Sequence, residues 1–190
     1  MKLENSFDVE APPETAWELL MDVPRVIPCM PGAKLLDTVD DANWKAQLDV
    51  KLGPIGLTFA TDVRRESADE AARVATLSAR ARETRGRGGG QAKIESRLTP
   101  TEGGTHVDIV TDLALSGPVA QYGRGLIEDV TRQLVRRFAD CLRTQLTAAT
   151  PEEAEAATAV HAKPVAGVRL GLGALASSVA RRFRRPRPAA

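Results

Sequence analysis

A chain of 190 residues, 43% of them hydrophobic, can bury a core of its own, which excludes a chain too polar to fold and points to one domain plus an appendage. Aromatic residues make up only 4%, so any internal cavity must be lined by aliphatic and small side chains. The net charge of +1 is unevenly spread: residues 1–150 hold 19 Lys+Arg against 22 Asp+Glu, hence −3, and residues 151–190 hold 7 against 3, hence +4.

Leu3–Val9 alternates as a strand, with Leu3, Ser6 or Phe7, and Val9 competing for the inner face. Ala11-Pro12-Pro13-Glu14 starts a short helix with Trp17, Leu19, Leu20 and Met21 on its buried side, and Asp22-Val23-Pro24 ends it. A second, very short helical turn is expected at Arg25–Pro28, and a turn at Pro31-Gly32.

From Ala33 to Ser116 the hydrophobic period becomes two. Lys34–Val39 reads as a strand, and Asp40-Asp41-Ala42-Asn43 turns the chain. Trp44, Ala46, Leu48, Val50 and Leu52 then alternate with Lys45, Gln47, Asp49 and Lys51, giving one dry face and one wet face. After a turn at Gly53-Pro54-Ile55-Gly56, Leu57, Phe59, Thr61 and Val63 alternate with Thr58, Ala60, Asp62 and Arg64. Asp69-Glu70 turns the chain into Arg73–Glu83, and Gly86, Gly88, Gly89 and Gly90 turn it again. Ala92, Ile94, Ser96 and Leu98 form the next dry face; after a turn at Thr101–Gly104, Val107, Ile109, Thr111, Leu113 and Leu115 form the last.

A long helix is predicted from Pro118 to Leu146, opened by Gly117-Pro118, where a proline loses no helical hydrogen bond. Val119, Tyr122, Leu126, Val130, Leu134, Phe138, Cys141 and Leu142 recur at three- and four-residue steps, one wide apolar stripe. Arg124, Glu128, Arg132, Arg136, Asp140 and Arg143 take the wet side. Gly123 and Gly125 together cost about 1–2 kcal/mol against alanine, which makes sense where a backbone or ligand comes close.

These elements predict an α+β fold: a curved antiparallel sheet of about seven strands around a long C-terminal helix, with two short helices after the first strand. This is the helix-grip arrangement, and a curved sheet closed over a rod leaves a gap. Ala46, Thr61, Ala75, Ala79, Ala92, Ser96 and Thr111 are small where a packed core would use Leu or Phe. Either they line a cavity for an apolar ligand, or they reflect an alanine-rich composition. The expected lining is Trp17, Met30, Trp44, Ala46, Leu48, Phe59, Thr61, Val63, Leu77, Ile94, Ile109, Thr111, Leu113, Tyr122, Leu126 and Val130.

Three stretches carry a resemblance: VPRVIPCMPGA (23–33), ARETRGRGGGQA (81–92) and VAQYGRGLIEDVTRQLVRRFADCL (119–142). They resemble the family of the carbon monoxide dehydrogenase CoxG subunit, part of the START/Bet v 1-like (SRPBCC) superfamily of helix-grip lipid and small-ligand carriers. The resemblance runs from residue 1 to about 147. It implies a soluble accessory protein, encoded beside molybdenum hydroxylases, that holds a menaquinone-like quinone and helps a cytoplasmic hydroxylase work with the membrane. No covalent cofactor is implied.

No catalytic constellation stands out. His106 and His161, expected at an edge turn and in the linker, have no Cys, His or Asp neighbours at metal-ligand spacing, so neither a metal nor a Ser-His-Asp triad is expected. The Arg85–Gly90 run reads as a hairpin tip, since no helix follows it to hold a phosphate. Cys29-Met30-Pro31-Gly32 reads as a plain turn or as a gate at the cavity mouth. The Tyr122 hydroxyl meets either a ligand carbonyl or a backbone group. Candidate acids and bases are limited to Tyr122, Cys29, Asp112 and Glu128, so a non-enzymatic carrier is expected. The alternatives are a cyclase or hydrolase of the same fold acting on an apolar substrate, and an adaptor without ligand.

Residues 148–164 read as a flexible linker and 165–190 as a basic amphipathic tail. Val168, Leu172, Leu175, Val179 and Phe183 fall at helical spacing, followed by Arg181, Arg182, Arg184 and Arg185 around Phe183. About 16 weakly charged residues span roughly 24 Å of helix, short of the roughly 30 Å hydrocarbon core, so the tail is expected to lie in the interface of an anionic inner membrane. Docking on an acidic partner is the alternative; nucleic acid is not expected, as no aromatic stacking surface accompanies the arginines. Two cysteines make no disulfide framework, and MKLENSFDVE is no secretion signal, so a reducing cytoplasm, with the protein peripheral to the inner membrane face, is the expected location, and a Cys29–Cys141 bridge is the lesser alternative to two free thiols.

Overall fold

The computed structural model describes residues 1–52, 55–121 and 123–148. Alternation decides the first strand, β1 (Lys2–Val9): Leu3, Phe7 and Val9 are buried and Ser6 is exposed, which settles the competition for the inner face. Two prolines then stop the strand, and Pro13 sits in the first turn of α1 (Pro13–Met21), which buries Ala16, Trp17 and Leu19. Asp22 caps α2 (Val23–Val26) by accepting from the Arg25 N–H, and a 3₁₀ turn, Ile27–Cys29, completes the segment.

Six strands follow: β2 (Ala33–Asp40), β3 (Asn43–Leu52), β4 (Ile55–Asp69), β5 (Val74–Glu83), β6 (Gly89–Thr101) and β7 (Gly104–Ser116). They form one antiparallel sheet in the order β1-β7-β6-β5-β4-β3-β2, so β1 closes on β7 and the free edges are β1 and β2. Thr105 ties the chain at the β1 end, its buried hydroxyl donating to the Ala11 carbonyl at 2.8 Å. The Arg85–Gly90 run is a hairpin tip between β5 and β6, as expected.

The helix departs from expectation at its start. Gly117–Gln121 is a 3₁₀ turn, and α3 (Arg124–Thr147) begins only after Gly123, which is its extended N-cap. Among the described residues outside the helix's own turns, none comes within 4 Å of a side chain built at Gly123 or Gly125, so no backbone makes the expected close approach there. Gly123 serves the break between the turn and the helix; nothing in the structure explains Gly125. The close approach lies instead at Gly88 and Gly117. Both have positive φ, and a side chain at Gly88 would meet the Ser116 carbonyl oxygen at 2.1 Å.

The expectation of two reduced thiols is also corrected. Cys29 and Cys141 form a disulfide, both fully buried, linking the 3₁₀ turn to α3 across 112 residues. Sequence spacing carried no hint of it; packing of the short helices on the C-terminal half of α3 brings the two together. Gln145 seals the same joint by donating to the Arg25 carbonyl. The predicted linker, and the tail residues Val168, Leu172, Leu175, Val179, Arg181, Arg182, Phe183, Arg184 and Arg185, lie outside the described residues, as do Tyr122 and the Gly53-Pro54 turn.

Candidate functional site

Register puts the inward side chains in cross-strand rows. Ala46, Thr61, Ala81, Gly90 and Leu115 form one row; Trp44, Val63, Ala79, Ala92 and Leu113 form the next. Arg65, Leu77, Ile94, Thr111 and Leu3 make a third. Most positions in these rows are Ala, Gly, Thr or Val, so the wall is thin along its middle.

The apolar packing among the described residues is split accordingly. One cluster joins Phe7, Val9, Trp17, Leu98, Val107, Phe138 and Leu142 around the disulfide, with Phe7 and Phe138 edge to face at 6.2 Å. A second, small cluster packs Val119 on Leu57, with Val50, Phe59, Leu115 and Val130 against it. Between them Thr61, Val63, Leu77, Ala79, Ala92, Ile94, Thr111 and Leu113 are only half-buried, as are Leu126, Ile127 and Leu134 of α3. Inward-facing apolar groups that solvent still reaches are what the wall of a ligand hollow between sheet and helix would present.

Of the predicted lining, Phe59, Thr61, Val63, Leu77, Ile94, Thr111 and Leu113 come together on this wall; Val130 of α3 packs on the small Leu57–Val119 cluster and Leu126 is half-buried. Leu48 is half-buried and Ala46 is buried in the same face. Trp17 belongs instead to the packed cluster, with Met30 and Ile109 against it. The segment around Met30 is a turn, with the Met30 N–H donating to the Ile27 carbonyl and its own carbonyl accepting from Ala33. Trp44 is sealed by Arg65, whose guanidinium lies 5.7 Å from the ring centroid.

The inner face is not free of ionisable groups, contrary to the sequence expectation. Arg65 reaches from it to the Met21 and Asp41 carbonyls at 3.2 and 2.8 Å. Glu83 is buried opposite Phe59. Both share the parity of their inward neighbours, and that parity was the signal available. Glu83 accepts from the N–H groups of Arg85 and Arg87 at 2.9 and 3.0 Å and from the Arg87 guanidinium at 3.0 Å; Arg87 also donates to the Gly56 carbonyl. Burial pushes the Glu83 carboxyl up, but the Arg87 and Arg85 donors outweigh it and hold the pKa below the usual value. It is an ionised clip that fastens the β5–β6 tip to β4. Two buried side-chain atoms are left without a partner among the described residues, Thr61 Oγ1 on the inner wall and Arg87 Nε.

The other candidates lie elsewhere. Asp112 is exposed on the outer face, and Glu128 pairs with Arg124 at 2.6 Å. His106 lies near the start of β7, just after the Gly103-Gly104 turn, bridging Asp8 at 2.7 Å and Asp108 at 3.3 Å on the outer face. Donating a hydrogen bond to the Asp8 carboxylate raises its pKa; desolvation opposes this, and the charges of Asp108 and Asp8 add to the rise. Among the described residues no three His, Cys, Asp or Glu side chains converge on a metal position, and no helix is long and apolar enough to cross a membrane.

The model of the family described as the carbon monoxide dehydrogenase CoxG subunit matches residues 6–147. Among curated proteins none matches the chain in sequence. A conserved protein from Geobacillus kaustophilus superposes with a TM-score of 0.69 at 19% identity, over 77% of this chain and 95% of that one. The protein TTHA0849 from Thermus thermophilus gives 0.56 at 16% identity, over 83% and 99%. The ZhuI aromatase/cyclase from Streptomyces sp. R1128 gives 0.54 at 18% identity, over 77% and 93%. Such identities show a shared fold, the helix-grip fold, and nothing finer.

Proposed function

The chain belongs to the carbon monoxide dehydrogenase CoxG family, and from that premise we propose that it is a non-enzymatic carrier for an apolar lipid or quinone. The guest, a menaquinone-like molecule in this reading, occupies the hollow between the sheet and the N-terminal half of α3. The carrier serves a molybdenum hydroxylase of the carbon monoxide dehydrogenase type, bringing it together with the quinone pool of the membrane. Residues 1–147 hold the guest, 148–164 act as a linker, and the basic tail 165–190 attaches the protein to the anionic inner membrane face.

The split core supports this reading: a domain that only needed to fold would join its two clusters, whereas this one leaves a half-buried apolar wall between them. An enzymatic reading would need a free acid or base on that wall, and Glu83 is committed to three donors. A cytoplasmic-face location puts a disulfide where such bridges are rare. Both sulfurs here are fully buried, out of reach of an attacking thiolate.

Organic extraction of the purified protein followed by mass spectrometry tests the carrier. A stoichiometric apolar guest is the expected result, and its absence under gentle purification would leave an adaptor. Replacing Arg181, Arg182, Arg184 and Arg185 by Gln tests the tail, which should lose much of its partition onto anionic vesicles.

A further inference from the structure

An antiparallel meander sends alternate turns to opposite ends of the sheet, and here the two ends differ in charge. The β2–β3, β4–β5 and β6–β7 turns present Asp40, Asp41, Asp69, Glu70 and Glu102, and the one arginine among them, Arg73, is paired with Glu14. The other end presents Lys51 at the close of β3 and Arg85 in the β5–β6 turn, with Arg80 and Arg82 just below on the outer face of β5. All four are exposed, and none of the three arginine side chains is paired with a described residue. Asp62, opposite Arg80 in register, forms no ion pair with it, and Glu83 is neutralised by Arg87.

The same end carries a built concavity. A groove of about 320 Å³ runs over β5, β6 and β7, between Arg80 and Arg82 on one side and Gln91 and Ser116 on the other. Its floor is low because Gly89 lies between Arg82 and Ser116 and Ala114, beside Gln91, offers only a methyl group. Two guanidiniums and an amide around a low floor make a donor-rich seat for a phosphate oxygen, while the Ser116 hydroxyl donates to the Gly89 carbonyl at 3.4 Å. Ile55, one of the few exposed large hydrophobics, opens β4 at this end. Loose basic charge around an exposed aliphatic side chain suits the headgroup layer of a bilayer.

We propose that this basic end docks on an anionic phospholipid surface, with a lipid phosphate in the Arg80–Arg82 groove and Ile55 at the headgroup boundary. The acidic turns at the far end are repelled by the same surface, so the docking has one orientation. That orientation brings the half-covered stretch of α3, Leu126–Leu134, toward the lipid, since α3 starts at the basic end. The surface is separate from the tail and stands on its own geometry; only its purpose, exchange of a guest, rests on the carrier reading.

The test uses the full chain with Arg181, Arg182, Arg184 and Arg185 replaced by Gln, so that the tail does not mask the effect. Hydrogen exchange is followed with phosphatidylcholine vesicles and with vesicles containing phosphatidylglycerol. Protection of Ile55–Leu57 and Thr84–Gly90 by the anionic vesicles only, with Asp40–Asn43 and Asp69–Arg73 unchanged, is the expected result. Adding R80Q, R82Q and R85Q should cut vesicle partition about tenfold or more at low salt, and lysine at the same positions should restore most of it. Equal partition by the Gln variant, or protection confined to other segments, overturns the proposal. So does equal protection by inorganic phosphate alone, which marks a free-oxyanion site, or protection by polyglutamate without any by vesicles, which marks an acidic protein partner. Guest content is read on the same samples: guest retained without docking sinks this proposal and leaves the carrier standing.

Discussion

The two halves of α3 carry similar apolar stripes and meet different surroundings. From Phe138 to Gln145 the helix buries Phe138, Ala139, Cys141, Leu142 and Gln145 against β1, α1 and the 3₁₀ turn. From Leu126 to Val135 its apolar side chains are only half-buried, though the sheet curves past them. The stripe tells which face of a helix is apolar and says nothing about whether neighbours fill the space in front of it. One half of this helix holds the fold together, and the other half is left partly uncovered.

Cutting into the packed half should hurt most. Leu142→Ala, at a position 1% exposed, should lose about 3–5 kcal/mol in urea denaturation. Opening the Cys29–Cys141 bridge with C29S and C141S should cost about 2–4 kcal/mol, because the bridge closes a long loop in the unfolded chain. A wild-type melt unchanged by reductant strong enough to open the bridge would contradict this. Gly88→Ala, at a positive φ and against the Ser116 carbonyl, should cost about 2 kcal/mol and loosen the β5–β6 tip, visible as faster amide exchange there.

Filling the half-covered region sharpens the comparison from the other side. Val130→Phe should change stability by less than about 1 kcal/mol, whereas overpacking a filled core costs roughly 1–3 kcal/mol. The same variant should lose its co-extracted guest. Smallest is the effect of His106, whose pKa is raised in the folded state by Asp8 and Asp108. Its contribution is full below the unfolded value near 6.5 and is lost as pH rises through the raised folded value. With the ring partly exposed, the change is on the order of 0.5 kcal/mol; it should shrink in D8N and vanish in D8N with D108N, as read from denaturation midpoints at acid and alkaline pH.

Much of the inner wall could be read from parity. Phe59, Thr61, Val63, Ile94 and Thr111 alternate with polar neighbours, and the sheet places them together as the pattern requires. The same parity marks Arg65 and Glu83 as inward, against the expectation that charge faces water. They were missed because their partners are backbone groups on other elements: the Met21 and Asp41 carbonyls, and the N–H groups of the β5–β6 tip. Trp17 and Met30 pack into the large cluster, and a hydrophobic residue on a short helix looks the same in sequence whether it lines a hollow or fills one.

The amino-acid pattern by itself determined the strand and helix order, the antiparallel meander and its apolar face, because periodicity is a local property of the chain. Tertiary structure alone decided the Cys29–Cys141 pairing, the late start of α3, the division of the core and the gathering of like charges at each end of the sheet. Each of these depends on the distance between groups far apart in the chain, and that distance exists only once the sheet has curved and the helices have settled against it.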